Sequence, residues 1–233
     1  MMRILLVGYG KMGRLVGDLA PQYGAEVAGV VDPMSTAHVA ALDDPRWKGV
    51  DVAIDFTSPD AVVANVTVLA AQGINIVLGT TGWSAHEAEL KQASLAAGIG
   101  IVAAPNFSTG MVLFEAVIAH AAEIFGGQPE FGAWVHEAHH AAKKDAPSGT
   151  ALKLKKAMEQ AGYPRPIDVS ATRAGYIPGT HTIGFDGPSE SITLTHTARD
   201  RGGFARGALT AAQWVKGRSG WFTMQDVLGI ANR

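Results

Sequence analysis

The chain has no cysteine among its 233 residues, which excludes a disulfide framework and any thiolate chemistry. It lacks an excess of charge of either sign: 19 Lys and Arg stand against 21 Asp and Glu, a net charge of −2. That balance gives no electrostatic reason to expect nucleic acid or an anionic membrane as partner. No continuous apolar run reaches the ~18 residues of a membrane span. The opening MMRILLVGYG holds only a short apolar stretch at 4–7 before its glycines, too little for a signal peptide, so a cytoplasmic location is expected. Internal repeats and low-complexity tracts are also missing. What is plentiful is apolar content, 47%, on a chain long enough for one large domain or two modest ones.

Residues 3–7 form a short apolar run, as expected of a strand buried on both faces. The run ends in Gly8-Tyr9-Gly10-Lys11-Met12-Gly13, a G-x-G-x-x-G, and residues 14–20 continue helically up to Pro21. A second strand is predicted over 26–31. Asp32 then follows Gly13 by 19 residues, close to the ~20 expected of a ribose-binding acid. In this strand–turn–helix–strand context the glycines predict a dinucleotide site. Gly8 allows the tight turn, Gly10 lets backbone approach a pyrophosphate, and Gly13 lets helix and strand pack closely. The pyrophosphate would sit on the helix N-terminus. Asp32 would accept hydrogen bonds from the adenosine ribose and set an anion against a 2′-phosphate. None of Pro33, Met34, Ser35 and Thr36 is basic, while Lys11 and Arg14 flank the glycine loop as a counterweight. NADH is therefore the expected preferred cofactor, with NADPH also used.

Strands over 52–55, 74–78 and 99–103 alternate with helices over 61–71 and 85–97, which argues an α/β fold with a Rossmann-type doubly wound parallel sheet. Ligands of such sheets bind at the carboxyl ends of the strands. Phe56 and Thr57, then Gly79, Thr80 and Thr81, then Ala104, Pro105, Asn106 and Phe107 are thus the candidate cofactor wall. After residue 107 the pattern changes. A helix over 111–125 and strands over 131–135, 167–173, 181–185 and 191–197, with a helix over 150–161 among them, suggest an inserted α+β domain with an open antiparallel or mixed sheet. A helix over 204–215 and a short one capped by Thr223 return to the first domain, because domain termini tend to lie together. The expected division is 1–107 plus 207–233 for dinucleotide binding and 108–206 for substrate binding and oligomerisation.

The inserted part carries EAHHAAKKDAPSGTA at 137–151, which crowds His139, His140, Lys143 and Lys144 with two acids on what reads as a strand-to-helix loop. Ser148 is a good N-cap, and Gly149 lets backbone come close to a ligand. The unsatisfied N–H groups of the first turn, near Gly149 and Thr150, favour a carboxylate or phosphate, and Lys143 adds a full positive charge. The other histidines, His38, His86, His120, His181 and His196, read as structural or surface, with a cleft-facing position the minority reading for His181.

Together these residues resemble the 4-hydroxy-tetrahydrodipicolinate (dihydrodipicolinate) reductase family over nearly the whole length. The most specific match is Glu137-x-His139-His140-x-x-Lys143-x-Asp145-x-Pro147-Ser148-Gly149-Thr150-Ala151. GYGKMG, DFTSP, GTTGW, PNFSTG, RAG at Arg173 and FARGA support it. The resemblance implies NADH- or NADPH-dependent reduction of 4-hydroxy-tetrahydrodipicolinate to tetrahydrodipicolinate in diaminopimelate and lysine synthesis, by a homotetramer assembled through the sheets of the substrate domains. It implies His139 as proton donor and Lys143 as proton donor or charge stabiliser. His140, Gly149 and Thr150, with Ser148 at the helix end, become contacts of a dicarboxylate substrate, and no metal is expected. The chain departs from the pattern with Ala141 and Ala142 between His140 and Lys143, and with Pro33 after Asp32.

Three rival readings use the same residues. His136-Glu137-Ala138-His139-His140 matches the zinc-hydrolase pattern H-E-x-x-H, which needs both end histidines on one helix face, whereas the residues upstream alternate like a strand. A non-catalytic NAD sensor would leave the His/Lys cluster without a task. Another two-domain NAD oxidoreductase would share the glycine fingerprint but not this cluster.

Overall fold

A computed structural model describes residues 1–35, 38 and 41–230. Thr36, one of the four non-basic residues after Asp32, lies outside the described residues, as do 231–233 at the end of the segment assigned to the first domain. In chain order the elements begin β1 (Met2–Val7), α1 (Lys11–Leu19), β2 (Ala25–Val31), β3 (Val52–Asp55), α2 (Val62–Ala71), β4 (Asn75–Leu78), α3 (Glu87–Ala97), β5 (Gly100–Ala103) and α4 (Thr109–Gly126). They continue β6 (Gly132–His139), α5 (Gly149–Gln160), β7 (Ile167–Arg173), β8 (Thr180–Asp186), β9 (Ser191–Thr197), α6 (Gly202–Val215), β10 (Gly220–Phe222) and α7 (Met224–Val227).

The chain divides into two compact units, Met1–Thr109 with Gly202–Arg233, and Gly110–Arg201. A boundary at 206/207 would cut α6, whose Ala205, Gly207, Ala208, Leu209, Ala211, Ala212 and Val215 are all buried. The helix is a continuous packing surface, so it belongs whole to the first unit. Its Gly207 is required there, because a Cβ would collide with the Phe107 carbonyl.

In the first unit six parallel strands run in the order β10-β5-β4-β3-β1-β2. Ile4, Leu5 and Leu6 of β1 are at most 1% exposed, as befits a central strand covered on both faces. Each such burial contributes roughly 1.5–3 kcal/mol. Because β1 lies between β2 and β3, the crossovers reverse direction at its carboxyl end. That opens a crevice at the residues after β1 and β3. Between β2 and β3 the described residues hold one 3-10 turn, Pro45–Trp47, in place of a crossover helix. Trp47, 4% exposed, lies against Gly29 of β2, where any side chain would collide with its ring. One indole thus covers sheet surface that a helix would otherwise cover. The three-residue β10 is a strand that the sequence pattern does not announce.

The second unit has a four-stranded mixed sheet, β7-β6-β8-β9, in which β6 and β7 are parallel and the other pairs antiparallel. One face packs on α4 and α5 through Ile118, Val135, Leu154, Met158, Ile183 and Phe185. The 18 residues of α4 have a mean hydropathy of 1.3, enough in length and composition for a membrane span, although Glu115, His120 and Glu123 interrupt its apolar residues. Its Glu115 pairs with Lys153 at 2.7 Å, and its Met111, Ile118 and Ala122 belong to this core. β6 continues four residues past the expected end at Val135, so Glu137 and His139 stand on a strand and only the residues after His139 form the loop.

Candidate active site

In the first unit each glycine of the fingerprint does a separate task. Gly8 has φ +87, and a Cβ on it would collide with the Phe56 carbonyl and stand 3.1 Å from Thr57 Cγ2. The turn after β1 is therefore pressed against the turn after β3. Gly13 faces the Gly8 carbonyl so closely that no Cβ fits. At Gly10 a Cβ would meet nothing within 4 Å, so protein packing does not demand a glycine there. Gly10 is the N-cap of α1 and offers no capping side chain. The bare space over the first turn fits an anion held by backbone N–H groups.

Asp32 follows β2 beside this loop. Its Oδ2 accepts the Tyr9 N–H at 2.7 Å and its Oδ1 the Met34 N–H at 2.8 Å. These bonds hold the carboxylate at a cavity of about 380 Å³ lined by Gly8, Tyr9, Gly10, Asp32, Met34, Leu42, Phe56 and Thr57 among others. Apolar walls with one fixed carboxylate fit an adenosine whose ribose hydroxyls are donors. A second cavity of about 380 Å³ is lined by Gly10, Lys11, Met12, Phe56, Thr57, Gly79, Thr80 and Thr81.

Asp55, the first residue of DFTSP, ties these loops together. It is fully buried at the end of β3. Its Oδ1 accepts from Thr57 N–H at 3.0 Å, Thr57 Oγ1 at 2.7 Å and Thr80 Oγ1 at 2.9 Å, and its Oδ2 from Asn65 at 2.9 Å. Gly79 leaves room for the Phe56 ring. Ala104, Pro105, Asn106 and Phe107 line neither cavity. Phe107 is 2% exposed and Ala104 7%, the half-buried Asn106 accepts the Ser108 N–H at 2.8 Å through its side chain, and Pro105 is exposed.

In the second unit the residues converge on the carboxylate of Glu137, which is fully buried. Its Oε1 accepts Arg173 Nη2 at 2.6 Å and the Ser148 N–H at 3.0 Å. Its Oε2 accepts Arg173 Nη1 at 2.9 Å and bonds His139 Nδ1. Burial opposes its ionisation, but Arg173 first, then His139 and the Ser148 N–H, outweigh that and lower its pKa to about 2. His139 and Arg173 are register partners across β6 and β7, and Glu137 and His181 across β6 and β8.

His181 is 4% exposed, not a surface residue, and its ring centroid is 5.2 Å from that of His139. Burial, then the neighbouring His139, lowers its pKa to about 4. Its Nε2 lies 3.3 Å from Ser148 Oγ, which also accepts the Ala151 N–H at 3.2 Å. Ser148 is itself 2% exposed, so its hydroxyl and N–H are both used inside the protein and it serves as cap and scaffold. The open end of α5 is left to Gly149, whose Cβ direction meets nothing within 4 Å, and to the half-buried Thr150. Lys143 lies in the loop with His140, which is also half-buried. Its Nζ pairs with Asp145 at 2.8 Å, and that lysine holds the Asp145 carboxyl below the usual carboxylate range.

The H-E-x-x-H reading fails on geometry. His136 is on β6 with its Nδ1 on Ser170 Oγ at 2.9 Å, and His140 follows the strand end, so the pair shares no helix face. Glu137, His139 and His181 do offer ligand atoms within 4.8 Å of one another. All four acceptor positions of Glu137 are taken by Arg173, His139 and Ser148, so these side chains form an ion-pair network. His86 and His120 are exposed and pair with Glu89 and Glu123, while burial lowers the pKa of His196.

Residues 2–107 match the family described as dihydrodipicolinate reductase, N-terminus, and residues 110–228 its C-terminal counterpart. A 4-hydroxy-tetrahydrodipicolinate reductase of Myxococcus xanthus is 40% identical over 93% of this chain and 89% of its own. One from Archaeoglobus fulgidus is 36% identical over 97% of this chain and 100% of its own. The fold is that of a dipicolinate-bound dihydrodipicolinate reductase from Paenisporosarcina, with a TM-score of 0.81 at 22% identity, covering 97% of this chain and 98% of that one. With a nucleotide-binding glycine loop in one unit and a charged His/Lys cluster in the other, the chain belongs to the dihydrodipicolinate reductase family of pyridine-nucleotide-dependent oxidoreductases.

Proposed function

We propose that the protein reduces 4-hydroxy-tetrahydrodipicolinate to tetrahydrodipicolinate with NADH or NADPH, a step of diaminopimelate and lysine synthesis. The observation that carries this reading is the second-unit cluster. There a half-buried histidine hydrogen-bonded to a carboxylate shares its strand and loop with a lysine and with a helix end open at Gly149. The balance is one hydride and one proton taken up and one water released. Loss of the substrate's 4-hydroxyl with an adjacent proton releases the water and leaves a carbon–carbon double bond conjugated to the ring imine; a bound reduced nicotinamide would supply the hydride to the far carbon of that double bond. His139 then protonates the enamine-like carbon that results, general-acid work suited to an imidazole near neutral pH. The first turn of α5 at Gly149 and Thr150 takes one substrate carboxylate, and Lys143 and His140 offset the remaining charge.

In the first unit, Gly8, Gly10 and Gly13 with the start of α1 hold the pyrophosphate, and Asp32 holds the adenosine ribose. Phe56, Thr57, Gly79, Thr80 and Thr81 line the cavity next to it. Asp32 favours NADH, with NADPH used less well. The reading includes a homotetramer assembled through the second unit's sheet, whose β8 and β9 carry the exposed hydroxyl pairs Thr180–Thr197 at 3.2 Å and Thr182–Thr195 at 3.0 Å. A cytoplasmic location goes with this reading.

The test is an assay following nicotinamide oxidation with freshly made 4-hydroxy-tetrahydrodipicolinate, with pyridine-2,6-dicarboxylate as inhibitor. Turnover with inhibition competitive against substrate is expected. No turnover, or inhibition competitive against cofactor alone, would overturn the reading. Light scattering of the purified protein checks the tetramer.

A further inference from the structure

We propose that Glu137 is the positioning residue for the proton transfer, holding His139 by Nδ1 so that Nε2 carries the working proton while the same carboxylate fixes the anion-binding end of α5. This rests on His139 being the proton donor.

Glu137 stands two residues before His139, so both side chains leave β6 on the same face. Its carboxylate has no contact with water, and the Nδ1 of His139 is one of its four partners. A carboxylate at Nδ1 keeps a proton on that nitrogen and leaves Nε2 as the one that exchanges. A Cβ at Gly179 would stand 3.1 Å from Nε2, so the glycine keeps a side chain off that nitrogen. An imidazole that gives up a proton to substrate must first hold one on both nitrogens, and a fixed anion beside it stabilises that imidazolium.

Arg173 on β7 pairs with Glu137 and keeps it ionised, and also donates to the Asp145 carbonyl at 2.5 Å, holding the loop that carries Lys143. Lys143 and Asp145 in that loop pair with each other. His181 on β8 and His196 on β9 are disposed by burial to stay neutral. The other oxygen of Glu137 takes the Ser148 N–H, so donor imidazole and helix end hang from a single side chain.

The test compares Glu137→Gln, His139→Gln and the variant carrying both. Glutamine keeps the size but loses the charge and one acceptor. Turnover of Glu137→Gln is expected to fall roughly 10²-fold, with the alkaline limb of kcat/KM against pH moved to lower pH and cofactor affinity unchanged. In the His139→Gln background the same change should cost less than about threefold more, because groups acting as a unit are not additive. Equal losses in both backgrounds, or an unmoved alkaline limb, would overturn the inference and leave the assignment of His139 intact. Near-normal turnover of His139→Gln would overturn both together. If Glu137→Gln does not fold because Arg173 is left unpaired, Glu137→Gln/Arg173→Met removes both charges. The displaced limb and the absence of a further loss on adding His139→Gln are expected there too, and an unmoved limb again overturns the inference.

Discussion

The two units are built on different physics. In the first, the ligand-facing parts are mostly backbone: a glycine turn, an uncapped helix end, and one carboxylate held by two N–H groups. In the second, the site is a network of ionised side chains from β6, β7, β8 and the start of α5 around one buried carboxylate. A backbone site is set by which residues have no side chain. A side-chain network depends on charge, so it responds to pH and to single polar substitutions. Changes in the network should therefore alter turnover and leave nucleotide binding alone.

The sharpest way to break that contrast is His139→Gln. Turnover should fall ~10²–10⁴-fold, the usual contribution of a general acid, and NADH affinity measured by fluorescence should barely change. His136→Gln, on the exposed Ser170 contact, is the control and should be much milder. A loss of nucleotide affinity in His139→Gln would mean that the two units do not divide the work in this way.

Acid should also separate the units. His181 has its pKa lowered from 6.5 to about 4, so the unfolded chain binds the extra proton between those values. Stability from this group is complete above about pH 6.5 and is lost as pH falls towards 4, by at most about 3 kcal/mol. Glu137 follows in the same direction. Its pKa is lowered from 4.5 to about 2, so its contribution is present above 4.5 and lost as pH falls towards 2. Acid unfolding followed at Trp134, in the second unit, should begin between pH 6.5 and 4. His181→Phe should flatten that part of the curve. An unchanged curve in the variant would remove His181 as the cause.

The same contrast explains what the sequence disclosed. The glycine fingerprint, the acid after β2 and the βα alternation are legible because each rests on a local rule: φ, close approach, or period. The cluster from Glu137 to Thr150 was legible as a place but not as a network. Arg173 and His181 lie far along the chain, and only the register of β7 and β8 against β6 brings them to Glu137. One signal was present, since Val135, Glu137 and His139 continue the strand's alternation, but polar residues disguised it as a loop. Trp47 covering Gly29, and the packing role of Phe107, depend on tertiary fit and have no sequence signature.

Lys143→Ala should come next in size. Loss of a charge partner for a dicarboxylate should raise KM and lower kcat, together by about 10–10² in kcat/KM, since a charge-assisted contact is worth about 1.5–3 kcal/mol. The Asp145 carboxylate is then left without its lysine, so Asp145→Asn in the same background should recover part of the KM effect. No recovery would place the whole loss in the missing substrate contact.

The smallest expected effect is the choice of nucleotide, and it tests the backbone-built unit. A 2′-phosphate beside Asp32 meets a carboxylate that two N–H groups hold in place, so it cannot swing aside freely. In a partly exposed site that clash costs about 1–2 kcal/mol, tenfold or more in affinity. Of the two basic counterweights, Arg14 is already engaged. Its Nε donates to the Tyr9 carbonyl at 3.2 Å, and its guanidinium lies 5.5 Å from the Tyr9 ring centroid. Lys11 is exposed at the start of α1 and lines the second cavity rather than the one that holds Asp32. NADH should therefore have the higher kcat/KM at low salt, where charge effects are least screened, with NADPH still used. Asp32→Asn should narrow the gap, and Lys11→Ala should leave the ratio of the two nearly unchanged. A clear NADPH preference in the unaltered protein would mean that the basic side chains outweigh the fixed carboxylate, and that the glycine unit too selects its ligand by side-chain charge.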